Sequence, residues 1–351
     1  MEPLSLEHKR CKDYLVRSAD ERRLLQWLKG RQLSAGLVVA EGFEERSLGI
    51  LQRLVGAGFR APGVIVGRYV NDAELNERYR TRFEDLSDAL APGRWAVVDN
   101  HNDGLWVRRA IESIDAQAII LDITGVANRA LFGVLDSAVR SGRDILIAYT
   151  EAAQYWPKKS AWRKLEEQLC TDNTQLAEIV DKKPWLFGHE HRVELVPGHQ
   201  GYDAGGFGRA LIGFLPFKCA RLAAVLGEED YSEFLFIAGR PRLKRNQWRL
   251  EALKKINAPI TKGRPVIDMS TFSYRSAVQQ LTSLLFSEES FLGKYDVHLA
   301  IMGSKLQTVG SWVLSSIIAS ITAVTGTPTV YFPEAFSEGI GASWIFSLVH
   351  P

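Results

Sequence analysis

Residues 119–135 read IILDITGVANRALFGVL, and residues 265–281 read PVIDMSTFSYRSAVQQL. Each is a short apolar run closed by Asp, then an apolar residue, then Thr or Ser. Each places Arg seven residues beyond the Asp: Asp122 and Arg129, Asp268 and Arg275. Both then continue in a helical pattern. An uninterrupted apolar run of this length suits a strand buried on both faces. A helix behind it is the crossover that lets the next strand run parallel. The two stretches predict one strand–loop–helix unit used twice.

Three further pairs follow the same order. Residues 37–51 (LVVAEGFEERSLGIL) match 211–225 (LIGFLPFKCARLAAV), with Phe43 and Phe217, then Arg46 and Arg221. Val64 to Arg68 matches Leu235 to Arg240, and Asp144 to Ala148 matches Asp296 to Ala300. Strands are expected at 37–41, 63–67, 95–99, 118–122 and 145–149, and again at 211–215, 234–238, 265–268, 297–302 and 328–332. Strands alternating with helices predict a mostly parallel sheet covered on both faces. The expected fold is therefore α/β: two tandem Rossmann-like units related by a pseudo-two-fold axis.

The predicted division is a helical leader over 1–34, a first unit over 35–155, a helical and loop connection over 156–205, and a second unit over 206–351. The leader's expected apolar face is Leu24, Leu25, Trp27 and Leu28. The connection starts helical and becomes rich in Gly, His and Pro, with a short hairpin expected around Val193–Val196. A chain of 351 residues exceeds what one core comfortably holds, so two units also fit its length.

A net charge of +2 gives no bulk reason to expect a nucleic-acid or membrane partner. The three cysteines, Cys11, Cys170 and Cys219, are far apart and odd in number. They indicate neither a disulfide framework nor a zinc site, and they suit a reducing compartment. A cytoplasmic location is expected, because the first residues are charged and lack an apolar targeting core. Residues 306–333 carry no charge, but Thr325-Gly326-Thr327-Pro328 breaks the run. A buried helix followed by a strand explains this better than a membrane span.

In open parallel sheets ligands sit beyond the carboxyl ends of the strands. Gly303, Ser304, Lys305 and Thr308 lie where a buried strand meets a helix. Glycine lets a ligand approach the backbone, the helix start offers N–H donors, and Lys305 adds charge, which suits phosphate. Neither a Walker A loop nor a G-x-G-x-x-G fingerprint is present. Gly239, Arg240 and Arg242, with Lys244 and Arg245, follow another strand, and arginine forks match phosphate oxygens. Glu41, Glu44 and Asp122 are the candidate acids and bases of an enzymatic reading. Asp122 with Thr124, and Asp268 with Ser270, read most simply as helix caps. His189, Glu190, His191, His199 and Asp203 show no regular ligand spacing, so no metal is expected. Phe332 to Gly339 reads as a flap or a C-terminal turn.

The run DVHLAIMGSKLQTVGSWVLSSIIA resembles the strand–loop–helix of CARF domains, the CRISPR-associated Rossmann-fold sensors. Their loop is usually Gly-Gly-Thr-Lys, whereas this chain has Met302-Gly303-Ser304-Lys305. The resemblance covers mainly 210–335. A tandem chain is also similar in plan to SAVED domains, which look like two CARF units fused. The resemblance implies a prokaryotic, antiviral-defence sensor of nucleotides or cyclic oligonucleotides, with no resident cofactor. No fused nuclease, protease or membrane effector is recognisable, so a separate effector partner is expected, and a homo-oligomer fits the same plan. Two other readings stand: a nucleotide- or nucleoside-processing hydrolase or transferase, and a non-catalytic scaffold subunit.

Overall fold

The computed structural model describes residues 2–29, 34–70, 73–101, 104–171, 191–202, 207–287, 291–329, 332 and 336–351. In chain order the first strands are β1 (Arg22–Arg23), β2 (Ala35–Ala40), β3 (Val64–Tyr69), β4 (Trp95–Asn100), β5 (Ala118–Asp122) and β6 (Asp144–Tyr155). Then come β7 (His191–Leu195), β8 (Gly208–Phe214), β9 (Tyr231–Arg240), β10 (Val266–Ser270), β11 (Tyr295–Ala300), β12 (Ile321–Pro328) and β13 (Ser337–Ser347). Two sheets result, ordered β1-β13-β6-β5-β2-β3-β4 and β10-β9-β8-β11-β12-β7.

Five consecutive strands in each sheet run parallel, β2 to β6 and β8 to β12. Numbered within its unit, each set has the order 3-2-1-4-5, that of a Rossmann-like fold. In each, an antiparallel strand closes against strand 5: β13 on β6, and β7 on β12. The duplication is thus present in the strand order itself.

Composition explains these elements. Every residue of β2 is buried, as both-face burial demands of a central parallel strand. The helix Tyr274–Leu285 buries Tyr274, Ala277, Val278, Leu281, Thr282 and Leu285, an i, i+3, i+4, i+7 stripe. Each fully buried Leu or Val contributes roughly 1.5–3 kcal/mol of transfer free energy. One core gathers Leu37, Val39, Leu54, Val66, Phe83 and Ile120, and another Leu211, Phe236, Leu253 and Met302.

The chain clusters into two compact units that are not contiguous. One comprises Met1–Val16, Pro157–Ala335 and Pro351, and the other Arg17–Trp156 with Phe336–His350. In the former, the helix Glu2–Arg17 buries Cys11 and Tyr14, and Arg275 donates to the Leu15 carbonyl at 2.7 Å.

The ladders correct the sequence reading in several places. Asp122 pairs with Ala148 between strands 4 and 5 of the first sheet, and Ala300 pairs with Val324 between strands 4 and 5 of the second. Asp122 therefore corresponds to Ala300, not to Asp268, which lies on strand 3. The matched Asp…Arg pattern joined non-equivalent strands, as did the match of Asp144 to Ala148 with Asp296 to Ala300. Neither aspartate caps a helix: Asp122 accepts from the Thr124 amide at 2.9 Å, and Asp268 pairs with Lys254 at 2.9 Å. The caps are Ala127, which offers no side-chain acceptor, and Ser273.

The fifth strand of the second sheet is Ile321–Pro328 rather than 328–332. The expected hairpin near 193–196 is a single strand on β12. Of Phe332 to Gly339, expected as a flap or turn, the last three residues instead open an 11-residue strand, Ser337–Ser347. In the leader, Leu24 is buried but Leu25 is exposed. Residues 172–190 and 203–206 lie outside the described residues, with His189, Glu190 and Asp203 among them. The uncharged run resolves into the helix Lys305–Ile317 and β12. Among the described residues no helix is long and apolar enough to cross a membrane.

Candidate functional site

The order 3-2-1-4-5 reverses between strands 1 and 4, so each sheet has a crevice beyond those strand ends. Hydrogen bonds align the two crevices residue by residue. The Glu41 amide donates to the Gly67 carbonyl at 2.9 Å, and the Leu215 amide to the Ile237 carbonyl at 2.8 Å. Likewise the Ile123 amide reaches Ala148 and the Ile301 amide reaches Val324, both at 2.9 Å. Glu41 thus corresponds to Leu215, Arg68 to Ala238, Tyr69 to Gly239 and Gly125 to Gly303. The counterpart of the Gly-Ser-Lys loop is therefore Gly125-Val126-Ala127, not Tyr149-Thr150-Glu151 as the sequence suggested.

In the first unit this edge is closed by its own side chains. Glu41 is fully buried, and Arg68 grips it through Nε (3.0 Å) and Nη2 (2.9 Å) while also reaching Glu84 at 2.9 Å. The Glu41 hydrogen bond, against the cost of burial and with help from Glu84, raises the Arg68 pKa. Arg46 donates to Glu44 at 2.7 Å and to the Tyr149 hydroxyl at 3.2 Å. Burial disfavours the Arg46 charge, but Glu44, Tyr149 and Tyr155 outweigh it and raise its pKa. Burial drives the Tyr149 pKa upward. Tyr69 lies across the crevice: its hydroxyl donates to Gly125 at 2.8 Å and accepts from the Ala127 amide at 3.0 Å. Asp122 is buried and its carboxylate is engaged by Thr124, whose hydroxyl accepts from the Thr150 amide at 2.9 Å.

The second unit is built differently at the same positions. Leu215 and Ala238 replace the ion pair, and Gly239 replaces the bridging tyrosine. The carboxylates Glu41, Glu44 and Glu45 give way to Leu215, Lys218 and Cys219. The loops over 215–222, 239–250, 271–276 and 301–308 contain nine Lys and Arg residues and no Asp or Glu. Arg240, Arg242, Lys244 and Arg245 are exposed, and Lys305 is half-buried. Arg242 stacks over the Phe272 ring at 4.7 Å.

A hydrogen-bonded frame holds three of these loops together. Ser304 and Gln307 form a capping box: the Gln307 amide donates to Ser304 Oγ (3.3 Å), and the Ser304 amide to Gln307 Oε1 (2.9 Å). Ser304 Oγ donates to the Thr271 carbonyl at 2.6 Å, and the Thr271 amide donates to the Arg240 carbonyl at 3.1 Å. The Thr308 hydroxyl turns back to the Ser304 carbonyl at 3.1 Å. Two helix-start donors and two candidate hydroxyls are thus used by the protein itself. Gly303 is required by this packing, since a Cβ there would lie 2.6 Å from Gln307 Oε1 and 3.1 Å from Phe214. At Gly239 a Cβ would meet Thr271 at 2.7 Å.

The structure brings Gly303, Ser304, Lys305, Thr308, Gly239, Arg240 and Arg242 to one strand-end edge of one unit. Glu41, Glu44 and Asp122 belong to the other unit. His199 is buried and bonded to Ser315 at 2.8 Å, and His191 lies on β7. Among the described residues no group of three His, Cys, Asp or Glu side chains is placed to hold a metal. Gln307, Thr271 and Tyr69 escaped the sequence reading, and Arg68, matched there with Arg240, corresponds instead to Ala238. The Ser-x-x-Gln spacing of a capping box was the available signal for Gln307.

The fold and this edge define an α/β protein of two Rossmann-like units with one basic and one internally neutralised crevice. No family model matches the sequence, and no curated protein matches it. Among solved structures, a type III CRISPR defence DNA nuclease activated by cyclic oligoadenylate is similar over 80% of this chain, at 11% identity and a TM-score of 0.48. This chain spans 64% of that nuclease's length. The cytoplasmic domain of a prokaryotic cation chloride cotransporter is similar over 84% of this chain and 96% of its own, at 9% identity and a TM-score of 0.27. A universal stress protein from Archaeoglobus fulgidus DSM 4304 is similar over 82% and 94%, at 10% identity and a TM-score of 0.24.

Proposed function

We propose that this chain is a sensor that binds a nucleotide or short, cyclic or linear oligonucleotide at the strand-end edge of its second unit and acts on a separate effector protein. The observation that carries the reading is the charge of that edge: Arg240, Arg242, Lys244 and Arg245 stand exposed on loops that hold no carboxylate, and Lys305 is half-buried at a helix start. Such an edge attracts a polyanion, and arginine forks and a lysine point charge grip phosphate in complementary ways. The Ser304–Thr271–Arg240 frame supports the reading because it fixes the basic loops before a ligand arrives. The Gly-Ser-Lys loop's likeness to CARF sensors suggests a place in prokaryotic antiviral defence.

The enzymatic alternative draws less support, because Glu41, Glu44 and Asp122 are each engaged by a neighbouring side chain. The test is thermal denaturation with adenosine mono- and diphosphates and cyclic oligoadenylate, followed by chromatography of the nucleotide. The sensor reading expects a rise in Tm with the nucleotide recovered intact, and loss of that rise in Lys305→Ala. Turnover of the nucleotide replaces it with the enzymatic reading. The absence of any shift overturns both.

A further inference from the structure

The seven-stranded sheet carries a separate concavity at its β1 edge. It is a groove of about 480 Å3, lined among others by Glu21, Arg22, Arg23, Trp27, Lys29 and Trp344. That volume falls within the range of small-molecule sites, roughly 300–1,000 Å3. β1 is only two residues long, pairing Arg22 with Ile345 and Arg23 with Trp344, so both arginines sit on the sheet margin and are exposed.

The Trp344 indole is fixed in place. Its Nε1 donates to Glu151 at 2.9 Å, and the ring is nearly buried. The Arg23 guanidinium lies 4.3 Å above that ring. A planar cation stacked on an indole presents its second face to another planar group. Arg53 stands close by, donating to the Gly49 and Gly341 carbonyls. Burial and the Arg23 charge together lower the Arg53 pKa, so positive charge is concentrated here. Among the described residues no carboxylate forms an ion pair with Arg22, Arg23 or Arg53. Glu21 is the one acid lining the groove, against three cations.

We propose that this groove is a second ligand site, taking a nucleotide unit whose phosphate meets Arg22 and Lys29 and whose base stacks on the Arg23–Trp344 pair. The unit is either a free nucleotide or one residue of a single strand, since both present a flat ring beside a phosphate. The site shares no residue with the basic edge of the other unit, so it stands or falls independently of the sensor reading.

The test uses the full chain carrying Lys305→Ala and Arg240→Ala, which removes the other proposed site. Binding of AMP is measured by calorimetry, and binding of a fluorescein-labelled hexa-adenylate by anisotropy, at two salt concentrations. At least one probe is expected to bind. In that background Arg22→Ser/Arg23→Ser should weaken it about tenfold or more and reduce the salt slope by about one phosphate contact, that of Arg22. Arg23→Lys keeps the charge but loses the flat stacking face, and should weaken binding with the salt slope unchanged. AMP binding identifies a free-nucleotide site, and binding of the hexamer alone a strand site. Failure of both probes to bind overturns the proposal, as does equal affinity in the double arginine variant with its Tm preserved.

Discussion

Glu41 and Arg68 form a two-pronged ion pair at the end of the first sheet, and the equivalent positions of the second sheet hold Leu215 and Ala238. The two units thus solve one packing problem in two ways, with both charges present or both absent. Removing one member of a buried pair strands the other and costs about 3–5 kcal/mol, whereas apolar replacement of both is often neutral. Arg68→Ala should therefore lower unfolding stability sharply in urea titration. Glu41→Leu/Arg68→Ala, which copies the second unit, should recover most of the loss. A double variant no more stable than Arg68→Ala would refute the equivalence.

The Tyr69 hydroxyl both donates to Gly125 and accepts from Ala127, so it satisfies two loop groups at once. Tyr69→Phe leaves both without that partner at little change in volume. A loss of about 1–3 kcal/mol is expected, read by denaturant midpoint. The same change should leave ligand affinity at the second unit's edge untouched. A neutral substitution would mean that solvent replaces the hydroxyl.

Ser304 anchors the frame of the basic edge. Ser304→Ala removes the helix cap and the bond to Thr271, costing about 1–2 kcal/mol of stability. Affinity for nucleotide should fall as well, although the substitution removes no charge, because the Thr271 and Arg240 loops lose their tie to Lys305. Ser304→Thr preserves the hydroxyl and should restore both. Calorimetric titration of the two variants separates this positioning role from direct contact.

Burial raises the Cys11 and Cys219 thiols to about 11. Both are free and buried. In a Cys170→Ser background neither should react with a thiol reagent at pH 8 until the chain unfolds. The folded thiols hold their protons more tightly than the unfolded ones. Their contribution to stability is therefore complete below about pH 9 and is lost as the pH climbs from 9 to 11. Urea midpoints measured between pH 7 and 11 should show this fall, and Cys11→Ala/Cys219→Ala should flatten it. Rapid labelling of the native chain at pH 8 would contradict the burial.

The sequence carried the strands well, because runs such as Leu37–Ala40 and Ile119–Leu121 are apolar on both faces. It carried the basic residues of the edge equally well, since Arg240, Arg242 and Lys305 follow strands directly. What failed was correspondence. Asp122 and Asp268 share a local pattern, yet only the ladder reveals that one ends strand 4 and the other lies within strand 3. Ser337–Ser347 went unread because glycines at 339 and 341 hide its alternation, and its partner β6 lies far away in sequence. The pairing of Arg68 with Glu84 depends on a helix packing beside a strand end, and that of Ser304 with Thr271 on two loops meeting, and no local spacing records either.

The pairing of β13 with β6 has a consequence for how the molecule is made. The sheet that begins at Arg22 is completed only by residues as late as Ser347. On a ribosome, strands β2 to β6 emerge first, but β6 keeps an open edge until translation has run past the whole second unit. At about 5–20 residues per second, the roughly 190 residues between them take on the order of 10–40 seconds to appear. During that interval the nascent chain exposes a strand edge able to pair with other chains.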